Sequence, residues 1–411
     1  MPSRRVWPLA LALVTLGTAG CGASAAAPRL PRTELPFPLA TQPMSAADLA
    51  ALPAPAVVGA GPLGPYDAPA AMYGVWDPAR GMALRAFGLS DRAAGTPASP
   101  DQTFRIASIT KTFTATAVLL LVDDGKVRLD APVARYVGRL VDPLPGGRSA
   151  TVRSLLNMTS GFPDYGGRGD GPFATSVVTP YRVWTPAQVV RAAARYAPDE
   201  RGVFHYSSTN YVILGELVRR VSGMSYGTFV RRRILQPLGL RDTRIPSPAR
   251  TPPVTLRGYL DATWASFSPP PPPDVQAAGR AGEDVTTWST SSAGAAAAGV
   301  STLADLARWA ASDFGDALLR PRTRDARLRR VPAGSLLRGT AYGLGLQIAR
   351  GWHFHVGEIF GWESLVLASP RRRQVVVVVR NACCGSAFEN YLTAREAMPS
   401  LAPLVDPVYR R

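Results

Sequence analysis

The chain has 411 residues, 46% of them hydrophobic and 18% charged, with a formal net charge of +17. That balance excludes global disorder and supplies a core for one large domain or two ordinary ones. The positive charge fits attraction to anionic lipid, to an acidic wall polymer or to nucleic acid. Its arginines, however, are scattered or in short runs such as Arg231-Arg232-Arg233, with no aromatic-interleaved basic stripe, so an arginine-rich solvated surface is the plainest reading.

Arg4 and Arg5 precede an apolar stretch from Trp7 to Leu16 and then Gly17-Thr18-Ala19-Gly20-Cys21, the order of a secretory signal. The apolar stretch is too short for a stable span. The small residues before Cys21 resemble a bacterial lipobox, which makes residues 1–21 a signal peptide and Cys21 a lipidation site. Thr18 stands where that motif prefers Leu, and cleavage after Ala23-Ser24-Ala25 is the alternative. Either route predicts an extracytoplasmic protein, lipid-anchored to the cell membrane or secreted. Residues 22–62 are rich in Ala and Pro and predict an extended tether, leaving 63–405 as the folded domain. Cys383 and Cys384 are adjacent and staple no loop; two small buried thiols are expected rather than a vicinal disulfide.

Within the domain, Met72–Trp76 and Met82–Phe87 read as two strands about a turn at Asp77-Pro78. An apolar run from Thr114 to Leu121, stopped by Asp123-Asp124-Gly125, predicts a buried helix entered through Ser108. Short helices follow over Thr151–Leu156, Tyr211–Val221 and Tyr226–Leu235. The prolines from Pro269 to Pro273 predict a loop, and Ser301–Asp305 a capped helix start. Leu344–Ala349, Trp352–Val356, Ser364–Ala368 and Gln374–Arg380 read as strands, the last a fully buried valine run, before a closing helix over Glu389–Met398. Strands at both ends with helices between predict an α/β (α+β) domain, one sheet completed by N- and C-terminal segments around a helical insertion.

The chemistry centres on Ser108-Ile109-Thr110-Lys111. A spacing of three places the hydroxyl and the amine on one helix face, a turn apart. Lys plus Arg total 46, yet only Lys111 and Lys126 are lysines. A desolvated lysine releases its proton where arginine cannot, so Lys111 beside Ser108 suggests a base beside a nucleophile. Tyr206-Ser207-Ser208 precedes a helix, and His355-Val356-Gly357 ends a strand. Taken singly, Tyr206 reads as a packing aromatic and His353 and His355 as ordinary strand histidines. With three His in the chain and no matching Cys or carboxylate spacing, no metal site and no cofactor are expected.

In order, Phe104-Arg105-Ile106-Ala107-Ser108-Ile109-Thr110-Lys111, Leu155-Leu156-Asn157-Met158-Thr159-Ser160-Gly161, Tyr206–Tyr211, Gln236–Leu240, Tyr342-Gly343-Leu344-Gly345 and His355-Val356-Gly357 resemble the serine β-lactamase and penicillin-binding-protein superfamily. The likeness is to the branch with class C β-lactamases, DD-carboxypeptidases and related serine esterases, and it spans roughly residues 71–400. The resemblance implies a β-lactamase/transpeptidase-like fold and an acyl-enzyme on Ser108, with Lys111 taking its proton and Tyr206 shuttling a proton to the leaving group. It also implies an oxyanion hole from the backbone N–H groups of Ser108 and Glu358, and substrate contacts from Ser208, His355 and Gly357. His355 stands where many relatives carry Lys and is expected to offer a hydrogen bond or positive charge; Gly357 is expected to admit substrate to the strand edge.

Two positions depart from that pattern. Ser208 replaces the Asn that peptide- and β-lactam-handling relatives use to bond an amide, and Glu358 is bulkier and more acidic than expected. The implied substrate is a cell-wall peptide ending in D-alanyl-D-alanine, with an ester or β-lactam as the alternative, or a non-catalytic wall- or ligand-binding role. Gly223-Met224-Ser225-Tyr226-Gly227 matches the Gly-x-Ser-x-Gly nucleophile elbow, but a helix reads before it where that elbow needs a strand.

Overall fold

The computed structural model describes residues 35–64, 67–246, 252–265, 270–334, 339–383 and 388–401. Among these the centre is a nine-stranded antiparallel sheet. β1 (Ala70–Asp77), β2 (Gly81–Asp91) and β3 (Thr96–Pro97) precede the helical region, and β4 (Val331–Pro332), β5 (Ala341–Tyr342), β6 (Gln347–Ala349), β7 (Trp352–Ile359), β8 (Trp362–Ser369) and β9 (Gln374–Arg380) follow it. The order is β3-β2-β1-β9-β8-β7-β6-β5-β4. β1 and β9 join the two halves, with Tyr73 opposite Val378. The sheet is thus completed from both sides of a helical insertion, as the strand pattern predicts.

The helices include α1 (Ala46–Ala50), α2 (Thr110–Asp123), α3 (Val152–Leu156), α4 (Pro186–Ala193), α5 (Ser208–Ser222), α6 (Tyr226–Val230), α7 (Leu303–Ala311) and α8 (Phe388–Ala397). Successive strand residues face opposite sides, so the valine run of β9 serves two cores. Val375, Val377 and Val379 join the larger cluster with residues of α2, α5 and α7. Val376 and Val378 pack on the other face with Tyr391 of α8, Met44 and Leu52. α2 is buried from Thr110 to Leu121. Its threonine hydroxyls are satisfied internally: Thr112 and Thr116 donate back to Ile109 O (2.7 Å) and Thr112 O (2.9 Å), and Trp309 Nε1 donates to Thr112 Oγ1 at 2.8 Å.

Three expectations change. The tether does not hold from residue 35 onward. Phe37, Met44 and Leu52 are buried, and Met44 N donates to Met82 O (3.0 Å) while Met82 N donates to Gln42 O (2.7 Å). A few apolar side chains in an Ala/Pro-rich stretch are enough to seat it on the sheet; residues 22–34 lie outside the described residues. Pro273 opens a short helix, Pro273–Ala278, because proline fits the first helical position. Cys383 is buried but in a disulfide whose partner lies outside the described residues, so it is no free thiol. The Gly-x-Ser-x-Gly match falls at a helix–helix turn. Gly223 is left-handed after α5, and Ser225 caps α6 by accepting from Thr228 N at 3.2 Å. Among the described residues no helix is long and apolar enough to cross a membrane.

Candidate active site

Ser108 lies in the 3-10 turn Ala107–Ile109 that leads into α2. Ala107 holds a left-handed φ of 48°, a sharp bend immediately before the hydroxyl. Lys111 is fully buried, with Nζ 3.0 Å from Ser108 Oγ, 3.3 Å from Ser208 Oγ and 3.1 Å from Ala296 O. A neutral amine satisfies this set: it donates to Ser208 Oγ and Ala296 O and turns its lone pair to the Ser108 proton. Burial lowers the Lys111 pKa to about 7, against the pull of the Asp164 charge. Gly345 makes room for this turn of α2. Its φ is +81°, and a Cβ there would lie 2.3 Å from Ala115 Cβ.

Tyr206 is carried in by two loops stitched together at the start of α5. His205 N donates to Met158 O (2.9 Å), Thr209 Oγ1 donates to Pro163 O (2.7 Å) and Ser160 Oγ donates to Asn210 Oδ1 (2.7 Å). The Tyr206 hydroxyl hydrogen-bonds to Ser108, and its ring centre lies 4.8 Å from Lys111 Nζ. Burial, with smaller help from Tyr342, pushes its pKa well above the ordinary phenol value. Tyr206 is therefore a phenol at rest. Of the two groups on Ser108, Lys111 is suited to take a proton and Tyr206 to give one.

The end of β7 supplies His355, Gly357 and Glu358. His355 is fully buried, and burial lowers its pKa to about 3. Its Nδ1 lies 2.6 Å from Val356 O, which only accepts, so Nδ1 carries the hydrogen and Nε2 accepts from the Tyr342 hydroxyl at 3.1 Å. In place of the hydrogen bond to substrate or positive charge expected of His355, the ring is neutral and spends both nitrogens on Val356 O and the Tyr342 hydroxyl. His353 instead meets Asp313, at 2.7 Å. Gly357 also has another use than the one expected. A Cβ there would lie 2.4 Å from both Ile106 O and Ser364 Oγ and 3.1 Å from Ala107 Cβ. The missing side chain lets the nucleophile turn pack against β7, and the chain itself fills that space.

Ser108, Tyr206, Ser208 and Glu358 border one cavity of about 270 Å³. Its other walls are Asp164, Tyr165, Phe173 and Trp264, with glycines and alanines between. Phe173 stacks on Phe360 at 4.3 Å. Asp164 accepts from Ser208 N (2.8 Å) and Gly166 N (3.1 Å), capping α5 beside the lysine. Burial raises the Asp164 pKa. Glu358 is exposed by area yet ringed by protein in the cleft mouth, and this loss of hydration raises its pKa, with Asp261 adding to it. Sequence reasoning missed Asp164, Phe173 and Trp264. Asp164 stands three residues beyond the recognised Ser160-Gly161, while the two aromatics come from segments with no pattern to mark them. Cys21 lies outside the described residues.

Fold and cluster together define the class: a β-lactamase/transpeptidase-like protein whose serine, lysine and tyrosine converge at the end of a buried helix. The family model described as Beta-lactamase matches residues 60–389, and the chain belongs to that family. Curated relatives include penicillin-binding protein 4* of Bacillus subtilis (strain 168), 30% identical over 39% of this chain and 34% of its own length. Esterase EstB of Burkholderia gladioli is 34% identical over 38% and 42%. The chain thus spans well under half the length of these relatives. Among solved structures, the D-stereospecific amidohydrolase from Streptomyces sp. aligns with a TM-score of 0.65 at 28% identity, over 81% of this chain and 94% of that one. The D-amino acid amidase from Ochrobactrum anthropi SV3 aligns with a TM-score of 0.68 at 27% identity, over 82% and 95%.

Proposed function

We propose that the chain is a serine hydrolase that cleaves an amide or ester through an acyl-Ser108 intermediate, and that its acyl group is apolar and carries an amine rather than a carboxylate. The observation that carries the substrate reading is the charge of the cleft. In a chain of net charge +17, the cavity is lined by Asp164, Glu358 and aromatics, and among the described residues no arginine borders it. Burial holds both carboxyls above their usual range, the Lys111 amine only partly offsetting this at Asp164. A substrate ammonium would relieve this; the free carboxylate of a D-alanyl-D-alanine peptide would aggravate it. The names of the amidohydrolase and amidase above agree with the amide reading, and esterase EstB with the ester one.

Neutral Lys111 takes the Ser108 proton as Oγ bonds to the carbonyl carbon, and the resulting oxyanion lies toward the N–H groups of Ser108 and Glu358. Tyr206 protonates the leaving nitrogen or oxygen as the bond breaks, and the Lys111 ammonium returns a proton to Tyr206. Water then attacks the ester, the same groups carrying its proton, and Ser108 is released. Export and acylation of Cys21 belong to this proposal; mass spectrometry of the N-terminal peptide from a bacterial membrane fraction tests them.

The main test is a turnover panel: phenylalanine amide of either hand, its N-acetyl form, a nitrophenyl ester, a cephalosporin and an acyl-D-alanyl-D-alanine peptide. The free-amine amide is expected to exceed its N-acetyl form at least tenfold in kcat/KM, at about the scale of one buried charge contact. Fastest turnover of the D-alanyl-D-alanine peptide would restore the carboxypeptidase reading. Failure of a fluorophosphonate to label Ser108 would leave a binding protein.

A further inference from the structure

The segment between Phe173 and α4 builds a second surface on the outer side of the cleft wall. Among the described residues the exposed large apolar side chains are Val178, Tyr181, Val183 and Val203, and the first three fall in one short stretch, with Tyr181 71% exposed. Beside them lies a groove of about 580 Å³ bordered by Arg182, Arg191 and Arg195. All three arginines are exposed. Arg191 and Arg195, with Gln188, share the outward face of α4 and its continuation, while Val189, Val190 and Ala193 turn inward. Arg182 stacks on Trp184 at 3.8 Å, which leaves its N–H edges open. Among the described residues none of the three has a carboxylate within ion-pair distance. The one acid at the groove, Asp170, accepts from the Tyr196 hydroxyl at 2.9 Å.

We propose that this face docks on an anionic phospholipid bilayer, the arginines meeting headgroup phosphates and Val178, Tyr181 and Val183 entering the interface. A soluble polyanion would satisfy the arginines but leave the apolar tip in water; a bilayer interface satisfies both. No stripe of this kind is visible in the sequence, because α4 brings Arg191 and Arg195 back beside Arg182. The placement also bears on catalysis. Phe173 lines the catalytic cleft while Pro172 and Thr175 line the groove. Ser289 N donates to Pro180 O (2.7 Å) and Trp184 N to Ser291 Oγ (2.8 Å), two residues before Ala293 of the cleft. Bilayer docking here sets the cleft beside the membrane surface, independently of any acyl chain on Cys21.

The test uses the full chain with Cys21→Ser, which removes the acyl anchor, in sedimentation with vesicles. Phosphatidylglycerol–phosphatidylcholine vesicles are compared with phosphatidylcholine alone. At about 5-fold per arginine, the combined Arg182→Ala, Arg191→Ala and Arg195→Ala variant should lose on the order of 100-fold in partition to anionic vesicles. Arg191→Ala alone should lose about 5-fold by the same rule, and 0.5 M salt should weaken the parent strongly. Tyr181→Asp with Val183→Asp should lose at least about tenfold, from lost apolar insertion and added repulsion. Turnover of a soluble nitrophenyl ester should stay near the parent value throughout, which also reports folding. The N-terminal apolar stretch is common to all variants and cancels. A loss in the triple arginine variant that is as large on neutral as on anionic vesicles, or unchanged partition in either variant set, overturns the proposal. So does a result in which the arginine changes abolish binding to vesicles and to soluble polyphosphate alike while the aspartate pair leaves both intact, since that describes a polyanion groove.

Discussion

The nucleophile end of α2 and the wall of the cleft above it are built on opposite plans. At the first, one helical turn supplies both Ser108 and Lys111, and the lysine is buried with a hydrogen-bond partner on each side, Ser108 Oγ, Ser208 Oγ and Ala296 O. At the second, Asp164, Phe173, Trp264 and Glu358 arrive from distant points of the chain's loops and strand ends, and two of the four are carboxyls that burial holds above their usual range. Reaction machinery is set by local spacing and tight packing, whereas substrate choice is set by loops that converge only after folding. The two regions should therefore fail differently when altered: loss of rate at the first, loss of discrimination at the second.

The largest expected effect is at Lys111. Lys111→Arg keeps the charge but cannot release a proton, and the larger head must enter a site with no exposed surface. It should lower kcat/KM by about 10³-fold, within the range for removal of a general base. Activity within tenfold of wild type would place the base elsewhere. Tyr206→Phe comes next. An amide needs its leaving nitrogen protonated and should lose about 10²-fold in kcat, while a nitrophenyl ester, whose leaving group departs as an anion, should lose much less. Equal losses on both substrates would remove the donor role.

That contrast also explains how much the sequence discloses. The two-sided sheet, the buried helix and the Ser–Lys pair are legible because periodicity and a spacing of three are local facts. Tyr206 and His355 are legible only through their order along the chain. The burial of His355 is not, because the Tyr342 that occupies its Nε2 comes from a neighbouring hairpin and nothing in His355-Val356-Gly357 announces it. Gly357 reads as a place where substrate approaches the strand edge, whereas a Cβ there would meet Ile106 O, Ser364 Oγ and Ala107 Cβ, contacts that nothing in the motif announces. The aromatics of the wall follow no period at all.

A pH profile joins the two regions. Lys111 acts as a base only when neutral, so kcat/KM should rise with pH through about 7. The Asp164 charge raises the Lys111 pKa, so Asp164→Asn, which keeps the oxygen that caps α5, should move this limb to lower pH. The accompanying change in maximal rate should be only a few-fold, since the hydrogen-bond frame survives. His355 stays neutral across this range, so His355→Gln should leave the limb in place. A limb that follows His355 and ignores Asp164 would reverse the assignment.

The smallest effect separates the side chain of Glu358 from its backbone. The oxyanion role needs only the N–H of residue 358, which Glu358→Gln retains, so kcat should not change on any substrate. The carboxylate is lost, and with it the attraction for a substrate ammonium in a partly hydrated mouth, a contact worth a few-fold in affinity. KM for the amine-bearing amide should therefore rise about 3- to 5-fold, while KM for a neutral ester stays fixed. A fall in kcat shared by both substrates would mean that the side chain holds the strand end in register for the oxyanion, making Glu358 part of the rate machinery. Unchanged KM on the amine would leave Asp164 as the remaining carboxylate to meet it.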